Sequence, residues 1–541
     1  MKKYNIVWLF IDGVRRYYSD DDRTRLKFMD EFAQESVEFK NVVTSAPSTF
    51  MSLSAMMSGM PSYFINRNFN DFRFDKERIP SLTTDLIKNG YNNYSFLMHP
   101  QTRETMINIF PMIPRKYWAK GLTHRNWWSN DDIFNTVKKT LNMGVEQPGS
   151  FFVDYNCRED FEISNKVKKT YKLFNDFGYN EDNTIFILCS DHGYPDASKE
   201  SGRPEYYTDN KLTHDLILTD DNIMIPFFIK YPDCKKGLKI EETVSSIDLY
   251  QTIVDILDLP KNEELIGKSL KPLMEGIGTS YQVKFHRTDS RLALQTGRGT
   301  SIRNSHYKYC CYQDNIRGGG LEEFFDIIND PLEQKNLIND NNYKDTINSF
   351  KNEYHKSEEY FLNYQIKYLI DVFKNSNKNI DSYNSIVIID YANSMFTNIL
   401  YKMLNSLYSN VNIYIVTIEN KKEDFINEIN QDFVLEVNIE DIHQIHNLDI
   451  LSKDKIDLII TPLDPVKKNK KLIKKIKKIH SKEKMFVDYN LSGYKQPVLA
   501  SEIKRFRAAW PFLKQEPIAL LKYIYKLFTG AFRRLRRFLF K

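Results

Sequence analysis

Three stretches of this 541-residue chain, far apart in sequence, carry side chains that can together hold one divalent cation. The first is Ile6-Val7-Trp8-Leu9-Phe10-Ile11-Asp12-Gly13. The second is Ala46-Pro47-Ser48-Thr49-Phe50-Met51-Ser52, with Ser58-Gly59 beyond it. The third is Thr184 to Cys189, followed by Ser190-Asp191-His192-Gly193. Such a cation polarises an anionic ester and lowers the pKa of a coordinated hydroxyl, which then becomes a nucleophile. Asp12, Asp191 and His192 are the expected metal ligands, joined by Thr49, and Thr49 is the expected nucleophile; Ser48 and Ser52 are the alternatives. The plainer readings are strand-end polar residues and a helix N-cap. The donor set suits zinc and manganese about equally, and calcium also fits.

The elements that must position these residues are visible as apolar runs. A run that stops at an acidic residue reads as a buried parallel strand that delivers a carboxylate to the end of a sheet. This happens at Asp12 and again at Asp191. Strands are predicted at 5–11, 93–98, 150–155, 184–189 and 225–230, and helices at 50–58, 80–89, 131–142 and 161–177. Thr49 then stands where a helix begins, and backbone N–H groups there favour an anion. The alternation predicts an α/β sandwich over residues 1–370. The segments 247–275, 307–309 and 324–326 read as a closing subdomain of short strands.

Residues 371–384 are polar and read as a linker. Strands predicted at 385–390, 411–417, 433–437, 457–461 and 485–489, with helices between them, describe a small Rossmann-like domain over 385–500. Its first strand ends in Asp390-Tyr391-Ala392-Asn393-Ser394 with no Gly, so the dinucleotide fingerprint is missing and a scaffold or partner-binding role is expected. The Lys-rich stretch 467–484 reads as a solvated helix face.

Residues 501–541 hold eleven Lys/Arg against Glu502 and Glu516, whereas the whole chain carries only +5. Within 515–541, Leu521, Ile524, Tyr525, Phe528, Phe532 and Leu535 recur at helical spacing, with most basic residues off that stripe. This predicts a basic amphipathic helix that binds an anionic membrane surface. Nucleic acid is not expected, because the aromatic residues sit on the apolar stripe. Lys2 and Lys3 precede an apolar stretch, but it ends at Asp12 without a small-residue cleavage site and reads as a strand. The five cysteines show no metal-ligand spacing, and a reducing cytoplasm is the expected location.

The order of these motifs resembles the alkaline phosphatase/sulfatase superfamily over about residues 1–365. Ile225-Pro226-Phe227, the segment from Ile247-Asp248-Leu249 to Leu257, and Asn329-Asp330-Pro331-Leu332-Glu333 resemble later landmarks of its sulfatase branch. The resemblance implies a sandwich fold, one metal held by Asp12, Asp191 and His192, and Thr49 at the nucleophile position. It also implies that His214 contacts the transferring group or protonates the leaving oxygen. His99 and Ser52 are the expected substrate contacts, and Lys211 is a weaker candidate. Two-metal relatives carry Asp and His four residues apart; here Asp154 is followed at that spacing by Arg158.

The departures from the family bear on substrate. Formylglycine sulfatases carry Cys or Ser at the nucleophile, then Pro and Arg two and four residues on; here stand Thr49, Met51 and Leu53. Thr is not converted by that maturation. A Thr followed by Phe resembles the phosphodiesterases of the superfamily. The expected function is therefore metal-dependent hydrolysis or transfer of phosphoester groups through a covalent Thr49 intermediate, on a surface-glycan or lipid-linked substrate. The alternatives are a sulfuric ester hydrolase using an unmodified hydroxyl, and a non-catalytic binding protein that kept the fold.

Overall fold

A computed structural model describes residues 3–494, apart from 17–26, 66–79, 101–105, 107, 108, 112, 124, 125, 157–161, 195–213, 278–280, 292–297, 313–320, 375–382, 391–393, 409, 418–433, 437–455, 464–473, 482 and 489–492. The stretch 515–541, Lys211 and Arg158 thus lie outside the described residues. The chain divides into two compact units, with the break in the described chain between Lys351 and Asn352.

The first unit is built on a seven-stranded sheet. Its strands are β1 (Asn5–Asp12), β2 (Val37–Val43), β3 (Asn92–Phe96), β4 (Gly149–Asn156), β5 (Thr184–Cys189), β6 (Met224–Lys230) and β7 (Lys239–Ser245), in the order β3-β4-β1-β5-β6-β2-β7. β1 lies between β4 and β5 and runs parallel to both. Every β1 residue from Asn5 to Ile11 is buried, so both faces of the strand are covered. A fully buried Leu, Ile or Phe contributes about 2 kcal/mol in such a place. β6 runs antiparallel to β5, and β2 antiparallel to β6 but parallel to β7.

Helices cover the sheet: α1 (Lys27–Ala33), α2 (Thr49–Ser58), α3 (Leu82–Lys88), α4 (Asn130–Asn142), α5 (Ile163–Asp176) and α6 (Asp248–Ile256). Ser129 and Asp132 close a reciprocal capping box at the start of α4. α2 is buried on nearly all sides and ends at Gly59, whose φ of 66° suits a residue without Cβ. α6 and its neighbours occupy 247–275, which corrects the expectation of short strands there. Ile253, Val254 and Ile256 are buried at helical spacing. The remaining closing strands are present as an antiparallel sheet of β8 (His286–Arg291), β9 (Arg298–Arg303), β10 (Tyr307–Tyr312) and β11 (Leu321–Asp326).

A long helix, α7 (Lys344–Lys374), runs over the first four residues of the predicted linker. The second unit carries β12 (Ser385–Asp390), β13 (Asn412–Thr417), β14 (Val434–Glu436), β15 (Leu458–Leu463), β16 (Glu483–Asp488) and β17 (Gly493–Tyr494), ordered β14-β13-β12-β15-β16-β17. All pairs are parallel except the edge pair of β16 and β17. The order reverses beside β12, as in a doubly wound fold. No described helix is long and apolar enough to cross a membrane.

Candidate active site

The site forms where β1, β5 and α2 end or begin together. Asp12 closes β1, and Asp191-His192 follows β5 directly, so parallel pairing of the two strands sets the three ligands at one edge of the sheet. One ligand atom from each of Asp12, Asp191 and His192 lies within 4.8 Å of the others. His192 Nε2 stands 3.3 Å from Asp191 Oδ2 and 3.8 Å from Asp12 Oδ1. Asp191 and His192 are fully buried, and Asp12 is half-buried.

Thr49 is the first residue of α2. Its N-cap, Ser48, is extended and makes no side-chain cap bond. The Thr49 hydroxyl instead lies 3.3 Å from His192 Nε2. His192 Nδ1 meets the Gly193 carbonyl, which can only accept, so Nδ1 donates there and Nε2 is the nitrogen that faces Thr49 and the carboxylates. Four of the residues expected to bind a metal are thus brought together.

These residues fit a divalent cation. Asp191 Oδ1 accepts from the Gly13 N–H at 3.1 Å and from the Ser190 hydroxyl at 3.2 Å, whereas the buried Oδ2 has no hydrogen-bond partner. A buried carboxylate oxygen left without a proton donor calls for a positive charge beside it. The oxygen and imidazole donors fit the borderline metals better than a soft one.

His214, which opens a short 3-10 turn (His214–Leu216), comes to the same place. Its ring stacks on His192 with centroids 4.8 Å apart, and the exposed ring of Tyr194 lies 5.5 Å from that of His214. Asp215 Oδ1 is 3.4 Å from His214 Nε2.

Ser52 corrects its sequence expectation. It is fully buried, and its hydroxyl meets the Asp191 carbonyl at 2.8 Å and Thr44 Oγ1 at 2.8 Å, so it lies under the site and not on a substrate-facing wall. The reason is depth: one turn after Thr49 and on the same side of α2, Ser52 lies further along the buried helix, where the Asp191 carbonyl takes up its hydroxyl. His99 follows β3 and packs edge-on against Trp127, at 4.2 Å between centroids.

Several supporting residues escaped the sequence reading. Asn156, at the end of β4, offers Nδ2 to Asp12 Oδ2 at 3.5 Å. Asn222 accepts the Gly193 N–H on its carbonyl at 2.7 Å and donates its side-chain amide to the His214 and Ile217 carbonyls, each at 2.7 Å. Gly193 has no room for a side chain, because a Cβ there would stand 2.0 Å from the Asp221 carbonyl oxygen. Next to this turn, Asp220 receives Arg303 at 3.0 Å and Lys308 at 2.9 Å, and Lys308 also pairs with Glu333. Burial works to raise the Asp220 carboxyl, but the two cations outweigh it and hold it below its ordinary value. Arg303 and Lys308 come from segments more than 80 residues further on, with no local motif to reveal them, whereas Glu333 closes the Asn329 to Glu333 landmark.

Residues 211–360 match the family described as N-sulphoglucosamine sulphohydrolase, C-terminal. The chain is 28% identical over 160 residues to arylsulfatase K of Homo sapiens, covering 28% of this chain and 27% of that protein. It is 30% identical over 169 residues to a delta 4,5-hexuronate-2-O-sulfatase of Bacteroides thetaiotaomicron, covering 30% of this chain and 32% of that one. These matches span less than a third of either relative's own length. Among solved structures, a 2-O GAG sulfatase aligns with TM-score 0.55 at 17% identity, covering 66% of this chain and 93% of that one. A phosphonate monoester hydrolase of Agrobacterium radiobacter aligns with TM-score 0.53 at 13% identity, covering 66% and 96%. Both of these sequence relatives are named as sulfatases, whereas the two solved structures are named as a sulfatase and a phosphonate monoester hydrolase.

Proposed function

We propose that this chain, whose fold is that of the alkaline phosphatase/sulfatase superfamily, is a metal-dependent hydrolase of anionic esters, with sulfuric esters of sugars as its leading substrate class. The observation that carries the reading is the meeting of Asp12, Asp191 and His192 with the Thr49 hydroxyl at the start of α2. Zinc or manganese is the favoured ion, held by Asp12, Asp191 and His192. When bound, the ion would withdraw negative charge from the transferring group and lower the pKa of a coordinated hydroxyl.

The chain's own groups supply the rest. Thr49 Oγ1 gives up its proton to solvent and attacks the central sulfur, and the bond from sulfur to the sugar oxygen breaks. His214 delivers a proton to that departing oxygen. Water then cleaves the bond between Thr49 and sulfur, which releases sulfate and restores the hydroxyl. The start of α2, with its backbone N–H groups, is a favourable place for the anionic oxygens. Burial of Asp191 and His192 keeps bulk water from the ligands and strengthens each charge contact.

A second reading keeps the same residues but takes a phosphate or phosphonate ester. It rests on Thr49 itself, with Met51 and Leu53 where formylglycine enzymes carry Pro and Arg. A panel of aryl sulfates, aryl phosphate diesters and aryl phosphonate monoesters, run on metal-analysed protein, separates the two. Turnover of sulfates alone supports the first reading; turnover of phosphorus esters alone supports the second. No turnover of any ester by metal-loaded protein rejects both and leaves the non-catalytic binding protein. The basic stretch 515–541 extends the reading to an anionic membrane surface, and liposome co-sedimentation that is unchanged by its removal rejects that extension.

A further inference from the structure

The hydroxyls of Thr44 and Ser52 are joined to the backbone of the metal ligand Asp191. Both are fully buried. Thr44 Oγ1 lies 2.5 Å and Ser52 Oγ 2.8 Å from the Asp191 carbonyl oxygen, and the two hydroxyl oxygens are 2.8 Å apart. That carbonyl stands beyond the last residue of β5, where the ladder offers it no partner. A buried carbonyl there needs a donor, and side chains must provide it.

We propose that Ser52 and Thr44 are positioning residues that set the distance between the nucleophile helix and the metal ligands. Ser52 belongs to α2, one turn after Thr49, so its bond to Asp191 ties the helix that carries the nucleophile to the strand end that carries two ligands. Thr44 ties the same carbonyl to the end of β2, and its own carbonyl accepts the Thr288 hydroxyl from β8 at 2.6 Å. The neighbouring backbone is also held: the Ser190 N–H donates to Pro226 at 3.3 Å and the Gly193 N–H to Asn222 at 2.7 Å. With the flanks fixed, the remaining freedom of Asp191 and His192 is a shift of the carbonyl between them, and the hydroxyl pair removes it. Two hydroxyl protons serve the contacts, so removal of either hydroxyl leaves the carbonyl and the other hydroxyl under-satisfied.

The inference rests on the metal-centre reading, and its test reads affinity instead of turnover. Manganese chloride is titrated calorimetrically into metal-free wild-type protein and into Ser52→Ala, Thr44→Val and Thr44→Ser. Loss of a group that orients a ligand weakens metal binding about 10-fold or more. Ser52→Ala and Thr44→Val are expected to show that loss while circular dichroism remains that of the wild type, and Thr44→Ser is expected to bind like wild type because it keeps the hydroxyl. If Ser52→Ala does not fold, Ser52→Cys takes its place; it keeps the volume, weakens the donor, and is expected to bind manganese more weakly. Wild-type affinity in a folded Ser52→Ala or Ser52→Cys overturns this inference alone. Wild-type protein that takes up neither manganese nor, in parallel titrations, zinc or calcium overturns the metal-centre reading and this inference with it.

Discussion

The imidazole of His214 lies against that of His192, tilted by 23° with centroids 4.8 Å apart. Nineteen residues outside the described part of the chain (195–213) separate the two strands of sequence that bring these rings together. If His214 protonates the departing oxygen, its value depends on how poor the leaving group is. Replacement His214→Phe keeps a ring for stacking but carries no proton. It is expected to lower kcat about 10²-fold for an alkyl or glycosyl ester, with little loss for a nitrophenyl ester, whose oxygen leaves unprotonated. An equal loss for both esters would reject the acid role.

Thr49 carries the nucleophile assignment. Thr49→Ala is expected to reduce turnover by about 10³-fold or more, and Thr49→Ser to recover part of it, with manganese uptake measured alongside to show that the ligands persist. Full activity in Thr49→Ala would move the nucleophile elsewhere.

Gly193 offers a prediction on stability. A Cβ at this position would meet the Asp221 carbonyl at 2.0 Å, and backbone cannot swing aside as a flexible side chain does. Gly193→Ala is expected to destabilise the first unit by about 3 kcal/mol, read as a lower urea midpoint. Wild-type stability would mean that the turn after His192 has slack that the packing does not show.

His286 predicts a pH dependence. Burial depresses its pKa from 6.5 to about 3, and the charge of Arg303, its register partner on β9, adds to the effect. Tyr281 stacks over the ring at 6.5 Å. Between these two pKa values the unfolded chain binds a proton that the folded chain refuses. Stability from this group is thus complete above pH 6.5 and is lost as pH falls toward 3, at a limiting slope of about 1.4 kcal/mol per pH unit. Urea midpoints from pH 7 to 4 are expected to fall less in His286→Phe than in the wild type. Parallel curves would show that the ring is protonated inside the fold.

The strands that hold the site were the easiest part of the chain to read. β1 and β5 are covered on both faces, and such strands must be written in continuous apolar residues. β2 and β7 were missed for the opposite reason: the buried Glu38 and the half-buried Lys40 and Asn41 interrupt the first, and the exposed Lys239, Glu241 and Glu242 the second. β8 and β9 read as HRTDSR and RGTSIR, and their interior is held by polar pairs such as Arg287 with Asp289 and Thr300 with Asp289. A hydrophobic pattern cannot reveal strands of that kind. At the site, the ligands and Thr49 were visible because their types are chemically specific. Ser52 was visible but misjudged, since its role depends on how deeply α2 is buried one turn beyond Thr49. Asn156 and Asn222 act through contacts to distant backbone, which leave no mark in local sequence.

The central place of β1 has a consequence for how the protein comes into being. The strand is made before every other strand of its sheet, yet its two neighbours begin at Gly149 and Thr184, and the outer strands β2 and β7 need β6 before they can join. Pairings of this sequence separation close slowly, because loop entropy must be overcome before contacts reward it. A ribosome releasing this chain therefore exposes Asp12 and Thr49 long before Asp191 and His192 exist to meet them. Over that interval β1, an apolar strand whose faces the folded sheet covers on both sides, has two open edges, a template for pairing with other chains. Yield in a cell is then expected to depend on whatever shields the first 180 residues during synthesis.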